Sequence, residues 1–126
     1  MRQVTRLVHS ERTEIDARRV QALVRDMGHQ SAERLFGRAL DDIEDRLTAV
    51  DRAARGGDLR GAAQRARQLA TVADAAGLTG VRRVASMVAG AAEAGDGPAL
   101  GATLSRLSRL VDGAVCAIGE AWAARF

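Results

Sequence analysis

From Leu100 onward the apolar residues Leu100, Leu104, Leu107, Val111, Ala114, Ile118 and Ala121 recur at alternating steps of four and three. Steps of four and three keep side chains on one stripe of an α-helix but scatter them over both faces of a strand. Only the helical reading buries these residues together. The same beat recurs upstream. Phe36, Leu40, Ile43, Leu47, Val50 and Ala54 form one seam, Ala62, Ala66, Leu69, Ala73 and Ala76 another, and Val81, Val84, Val88 and Ala91 a third.

The residues between the seams mark where helices stop. Gly28 is expected to end a first helix over Thr13–Met27 whose inward positions are Ile15, Val20, Leu23, Val24 and Met27. Ser31 offers an N-cap for the second helix, on which Asp41, Asp42, Glu44, Asp45 and Arg46 face water. Gly56-Gly57 breaks that helix, and Asp58 caps a third over Leu59–Ala76, closed by Gly77. Thr79 is expected to cap the fourth, and the GDGP turn at 95–98 puts Pro98 in the first turn of the fifth.

Links of a few residues force consecutive long helices to run against one another. The expected fold is therefore all-α, an antiparallel up-down-up-down four-helix bundle with a short extra N-terminal helix across one end. At 126 residues the chain holds one core, divided as 1–30, a lead-in and short helix, and 31–126, the bundle. In the lead-in, Val4, Leu7 and Val8 are expected to cover a core edge. Gly37, Gly61, Gly90, Gly101, Gly113 and Gly119 fall inside helices, where glycine costs on the order of 1 kcal/mol against alanine. They either permit close helix contact or leave the bundle modestly stable.

Aromatics are only 2% of the chain against 47% apolar residues overall, so the core rests on Leu, Val, Ile and Ala. There is no lysine or tyrosine, so a pI of 10.8 accompanies a net charge of only +3. The charge is uneven. Residues 11–51 carry ten acids against seven arginines, whereas residues 52–83 carry seven arginines against two acids. Such a basic stretch suits an acidic protein surface or nucleic acid, the plain alternative being a solvated helix face. No aromatic is interleaved in it to stack bases, so nucleic-acid binding is the weaker reading.

Enzyme signals are thin. Cys116 lies in an apolar run and reads as a small buried hydrophobe, with no second cysteine to pair. His9 and His29 lack a second ligand at metal spacing, and no cofactor or metal is expected. Trp122 and Phe126 are expected to plug the open end of the bundle. The N-terminal MRQVTRLVHSERTEID has no apolar stretch of signal-peptide length, and no run approaches a membrane span, so a cytoplasmic location is expected.

Residues 66–77 read ARQLATVADAAG. They follow Ala54-Arg55-Gly56-Gly57-Asp58, an A–x–x–G–D turn with one extra glycine, and a second turn, Ala94-Gly95-Asp96, precedes the last helix. Together these resemble the histidine-containing phosphotransfer (HPt) domain of bacterial phosphorelays, over about 90 residues from Arg34 to Trp122. The family's core motif is approximately A-H-x-L-K-G-x-A-x-x-L-G. Ala66, Leu69, Ala73 and Gly77 match its scaffold positions. Arg67 stands where the phosphorylated histidine would be, Ala70 at the lysine and Thr71 at the glycine.

A guanidinium stays protonated at any accessible pH and offers no lone pair for attack on an aspartyl phosphate. The resemblance therefore implies a phosphotransfer-incompetent protein, not an enzyme, that binds a response-regulator receiver domain or a histidine kinase without transferring. Its expected docking face is Ala63, Gln64, Arg67, Ala70, Thr71 and Asp74: flat at the two alanines, with Arg67 central and only weakly restrained by Asp74. The receiver domains that HPt proteins dock onto carry a carboxylate pocket, which Arg67 would enter. A self-associating module with an Ala- and Gly-rich face is the competing reading.

Overall fold

A computed structural model describes the backbone of residues 15–125 and the side chains of residues 15–116, 118 and 119. The parts expected of Val4, Leu7, Val8, His9, Ala121, Trp122 and Phe126 lie outside the described residues. Among the described residues five helices follow in order: α1 (Ala17–Met27), α2 (His29–Arg55), α3 (Leu59–Ala75), α4 (Thr79–Ala94) and α5 (Gly97–Arg125). Among the described residues there is no strand.

Helices α2, α3 and α4 end in the same way. Gly57, Gly77 and Gly95 adopt φ of +82°, +77° and +68°, a region where an L side chain is strained. After each glycine the chain folds back to pair with an orphan carbonyl. Asp58 N–H donates to the Ala53 carbonyl, Leu78 to Ala73 and Asp96 to Ala91, at 2.9, 2.9 and 3.0 Å. In the Gly56-Gly57 pair it is thus the second glycine that turns the chain, while Gly56 (φ −81°) stays right-handed. The starts of α3 and α5 are capped by side chains as well: Asp58 accepts from Gly61 N–H at 2.9 Å and Asp96 from Ala99 N–H at 3.0 Å.

Three starts differ from expectation. Ile15 and Asp16 are not helical, and α1 begins at Ala17 rather than Thr13 because the Asp16 carboxylate caps it through Arg19 N–H at 3.2 Å. Ser31 is not an N-cap: Ala32 N–H donates to the Gly28 carbonyl, which puts Ser31 in the first turn of α2. The second helix therefore starts at His29, two residues before the expected boundary. Thr79 is likewise already helical, since Arg82 N–H donates to the carbonyl of the buried Leu78.

The core follows the seams. Phe36, Ile43, Val50, Leu69, Val81, Val84, Val88, Leu107 and Val111 are all but inaccessible, and Leu47, Ala54, Ala91, Leu104 and Ile118 pack partly against them. Each fully buried Val, Leu, Ile or Phe contributes about 1.5–3 kcal/mol by leaving water. Helix α3 packs between α2 and α4, α4 packs on α5, and α2 also touches both α1 and α5. Both helices bury mostly small side chains, Ala62, Ala63, Ala66, Ala70 and Ala73 on α3 and Ala85, Ala89 and Ala92 on α4. Met27 is not inward but 40% exposed. Cys116 is exposed rather than buried, because it sits two residues, about 200° of helix, from the core residue Ala114.

The helix-interior glycines are not close-contact devices at Gly37, Gly90, Gly101 or Gly119, where an added Cβ would meet nothing within 4 Å. At Gly61 it would collide with the Asp58 carboxylate that caps the helix.

Candidate functional site

Helix α3 shows its outer face between its two neighbours. Steps of three and four put Gln64, Arg67, Thr71 and Asp74 on that face, and all four are exposed. Ala63 and Ala70 are not part of a flat outer surface: they are 4% and 8% exposed, turned toward α4. Each lies at the floor of one groove along the α3–α4 seam. The first groove, about 750 Å³, runs past Arg60, Gln64 and Arg67 to Glu93. The second, about 620 Å³, runs from Arg67 past Thr71 and Asp74 to Arg82 and Ser86. Arg67 borders both.

Arg67 is not a lone cation. Its Nε donates to Glu93 Oε2 at 3.0 Å and its Nη2 to Glu93 Oε1 at 2.6 Å, a fork of two parallel bonds across the seam. The hydrogen bond, and secondarily the charge, hold the Glu93 carboxyl below its ordinary pKa and raise the already high pKa of Arg67. Asp74 turns away from Arg67, toward Arg82 Nε at 3.7 Å and Arg19 Nη1 at 3.8 Å. Thr71 hydroxyl donates back to the Arg67 carbonyl at 3.2 Å, within its own helix.

The α1 helix is fastened beside this face. Asp16 N–H donates to the Gly77 carbonyl at 2.8 Å and Arg19 Nη2 to the Ala75 carbonyl at 3.4 Å, so the last carbonyl of α3 and one in the turn after it take donors from α1 and its N-cap. On the opposite flank of α3, Arg46 of α2 donates to Asp42 within its helix and to Gln68 across the α2–α3 contact.

The chain matches no protein-family model, no curated protein and no solved structure. The chemistry of the face therefore has to be read from its own atoms. A guanidinium with one edge taken by Glu93 still offers the N–H groups of its other edge. Arg60, Arg82 and Arg19 add three more cations around the grooves, against the carboxylates of Glu93 and Asp74. Such a face suits a partner that brings acidic oxygens. His29, the histidine among the described residues, is the first residue of α2 and lines neither groove. No group of three or more His, Cys, Asp or Glu side chains among the described residues is placed to hold a metal ion. Among those residues, no helix is long and apolar enough to cross a membrane.

The expected face thus comes together in part. Gln64, Arg67, Thr71 and Asp74 share it, Ala63 and Ala70 line its grooves from below, and Glu93, Arg82 and Arg60 join it. No spacing rule connects Glu93 to Arg67, since they are 26 residues apart on different helices.

Proposed function

We propose that this chain is an HPt-like antiparallel four-helix bundle, incompetent for phosphotransfer, that docks on a receiver domain through the α3–α4 seam; a histidine kinase is the other partner within this reading. The observation that carries it is Arg67. It stands at the motif position of the phospho-accepting histidine, on the exposed face of α3, with a groove to either side. Support for the bundle comes from the contact order, in which α2, α3, α4 and α5 pack in sequence and α2 also meets α5. The turns at Gly57, Gly77 and Gly95 favour reversal of the chain after each helix.

Docking without transfer follows from the side chains on the face. The guanidinium binds oxyanions bidentately but has no lone pair for phosphoryl attack. Such a protein occupies a receiver without consuming its phosphoryl group, as a non-transferring regulator in the cytoplasm. Competing uses of the surface draw less support. No aromatic lies within the basic stretch 52–83 to stack on nucleic-acid bases. Most alanines of α3 and α4 are buried inside the chain and out of reach of a second copy.

The test is titration of the chain against receiver domains and kinases from the same cell, with Arg67→Ala and Arg67→Glu alongside. Binding that weakens in the first variant and disappears in the second supports the reading. Failure of every receiver and kinase to bind removes it.

A further inference from the structure

We infer that Glu93 is a positioning residue: it holds one edge of the Arg67 guanidinium and so aims the other edge outward as a ready-made fork for an oxyanion of the partner. For the identity of that partner, a receiver domain with its carboxylate pocket, the inference rests on the reading above.

The geometry sets the direction. Glu93 takes Nε and Nη2, at 3.0 and 2.6 Å. The two nitrogens share one edge of the planar group, which leaves Nη1 and the second Nη2 hydrogen on the adjoining edge. Glu93 is itself fixed on α4, whose inner face at Val88, Ala89 and Ala92 is buried. The side chain of Arg67 is still half-exposed, with open groove on both sides, so the outward edge is reachable.

Glu93 has two opposing effects on an acidic partner, and their sizes decide between them. Ordering a free arginine side chain on binding costs up to about thirtyfold in affinity, and a side chain already held avoids much of that. Against this stands repulsion between Glu93 and the arriving carboxylate. With both side chains half-exposed and the grooves beside them filled with water, it amounts to about threefold at a separation of about 6 Å, and less at physiological salt. Preorganisation wins as long as docking leaves those grooves wet. Glu93 therefore strengthens binding through Arg67, although it carries the same sign as the partner.

Two measurements on the full chain test this. The first is ¹⁵N relaxation of the Arg67 Nε–H. It is expected to report an ordered side chain in the wild type, a disordered one in Glu93→Ala, and partial order in Glu93→Gln, which keeps an acceptor oxygen. Equal order in all three overturns the inference, whatever the partner is. The second is affinity for a receiver domain, expected to fall about tenfold in Glu93→Ala and less in Glu93→Gln, with the helical circular-dichroism spectrum of the folded chain retained in both. Unchanged or tighter binding by Glu93→Ala at physiological salt overturns it, the tighter case meaning that Glu93 shields Arg67 instead. If no receiver binds either wild type or variants, the receiver reading falls. The inference is then decided by the relaxation measurement, together with inorganic phosphate as probe: a smaller shift of the Arg67 Nε–H in Glu93→Ala than in the wild type supports it, and an equal or larger one overturns it.

Discussion

Arg67 and Glu93 join α3 to α4 through two parallel hydrogen bonds, and the carboxylate titrates low because of it. The sign of the pH effect follows. A carboxyl whose folded pKa lies below its unfolded value contributes stability above the unfolded value, near pH 4.3 for Glu, and loses it as pH falls through the folded one. The side-chain carboxyl resonance of Glu93 is therefore expected to titrate below the ordinary Glu midpoint, and Arg67→Ala to return it there. Denaturant melts of wild type and Arg67→Ala should differ most near neutrality and converge in acid. A Glu93 midpoint that does not move in Arg67→Ala would refute the pairing.

Gly61 and Gly90 look alike in the sequence, each a glycine inside a helix, yet alanine should act oppositely at the two. Gly90 faces open space, so Gly90→Ala gains the helix propensity of about 0.5–1 kcal/mol. At Gly61 the new methyl collides with the Asp58 carboxylate that caps α3. Gly61→Ala therefore displaces the cap and destabilises, within the range of about 0.5–2 kcal/mol seen for loss of a capping side chain. Urea unfolding of the two variants and of Asp58→Ala checks this. Stabilisation by Gly61→Ala would show that the cap is not formed.

How much of this was legible beforehand depends on what each feature needs. The seam from Leu100 to Ile118 is written in spacing alone, and so is the exposure of Arg67. The inward turn of Ala63 and Ala70 is not. Alanine fits a surface or a core equally, and these two become core only because α3 packs against α4 as well as α2. The Arg67–Glu93 fork depends on how far α4 slides along α3, and local sequence does not encode that register. Ser31 and Thr79 misled for a related reason: both suit an N-cap, but the preceding Gly28 and Leu78 carbonyls already accept the first helical bonds.

Leu69 is the one large buried side chain on α3, whose other buried positions are Ala62, Ala63, Ala66, Ala70 and Ala73. Small neighbours on rigid helices cannot swing in to fill a gap. Leu69→Ala is therefore expected near the upper part of the range of about 2–5 kcal/mol for such truncations. Ala66→Gly, which leaves almost no cavity, should cost mainly the propensity difference of about 1 kcal/mol. Thermal and urea unfolding compare the two. Equal costs would show that Leu69 is not the centre of the α2–α3–α4 contact.

Cys116 offers a direct check on the rotation of α5. Its side chain is exposed, and Val115 beside it is 39% exposed, whereas Val111 and Ala114 are buried. Rotating α5 by about half a turn would bury the thiol and expose a core residue instead. In native protein without denaturant, Cys116 is expected to react fully with a thiol reagent such as Ellman's, at close to the rate of the unfolded chain. Val111→Cys, made in a Cys116→Ser background, should react only as fast as the helix opens or the protein unfolds. A protected Cys116 would place the other side of α5 against the core.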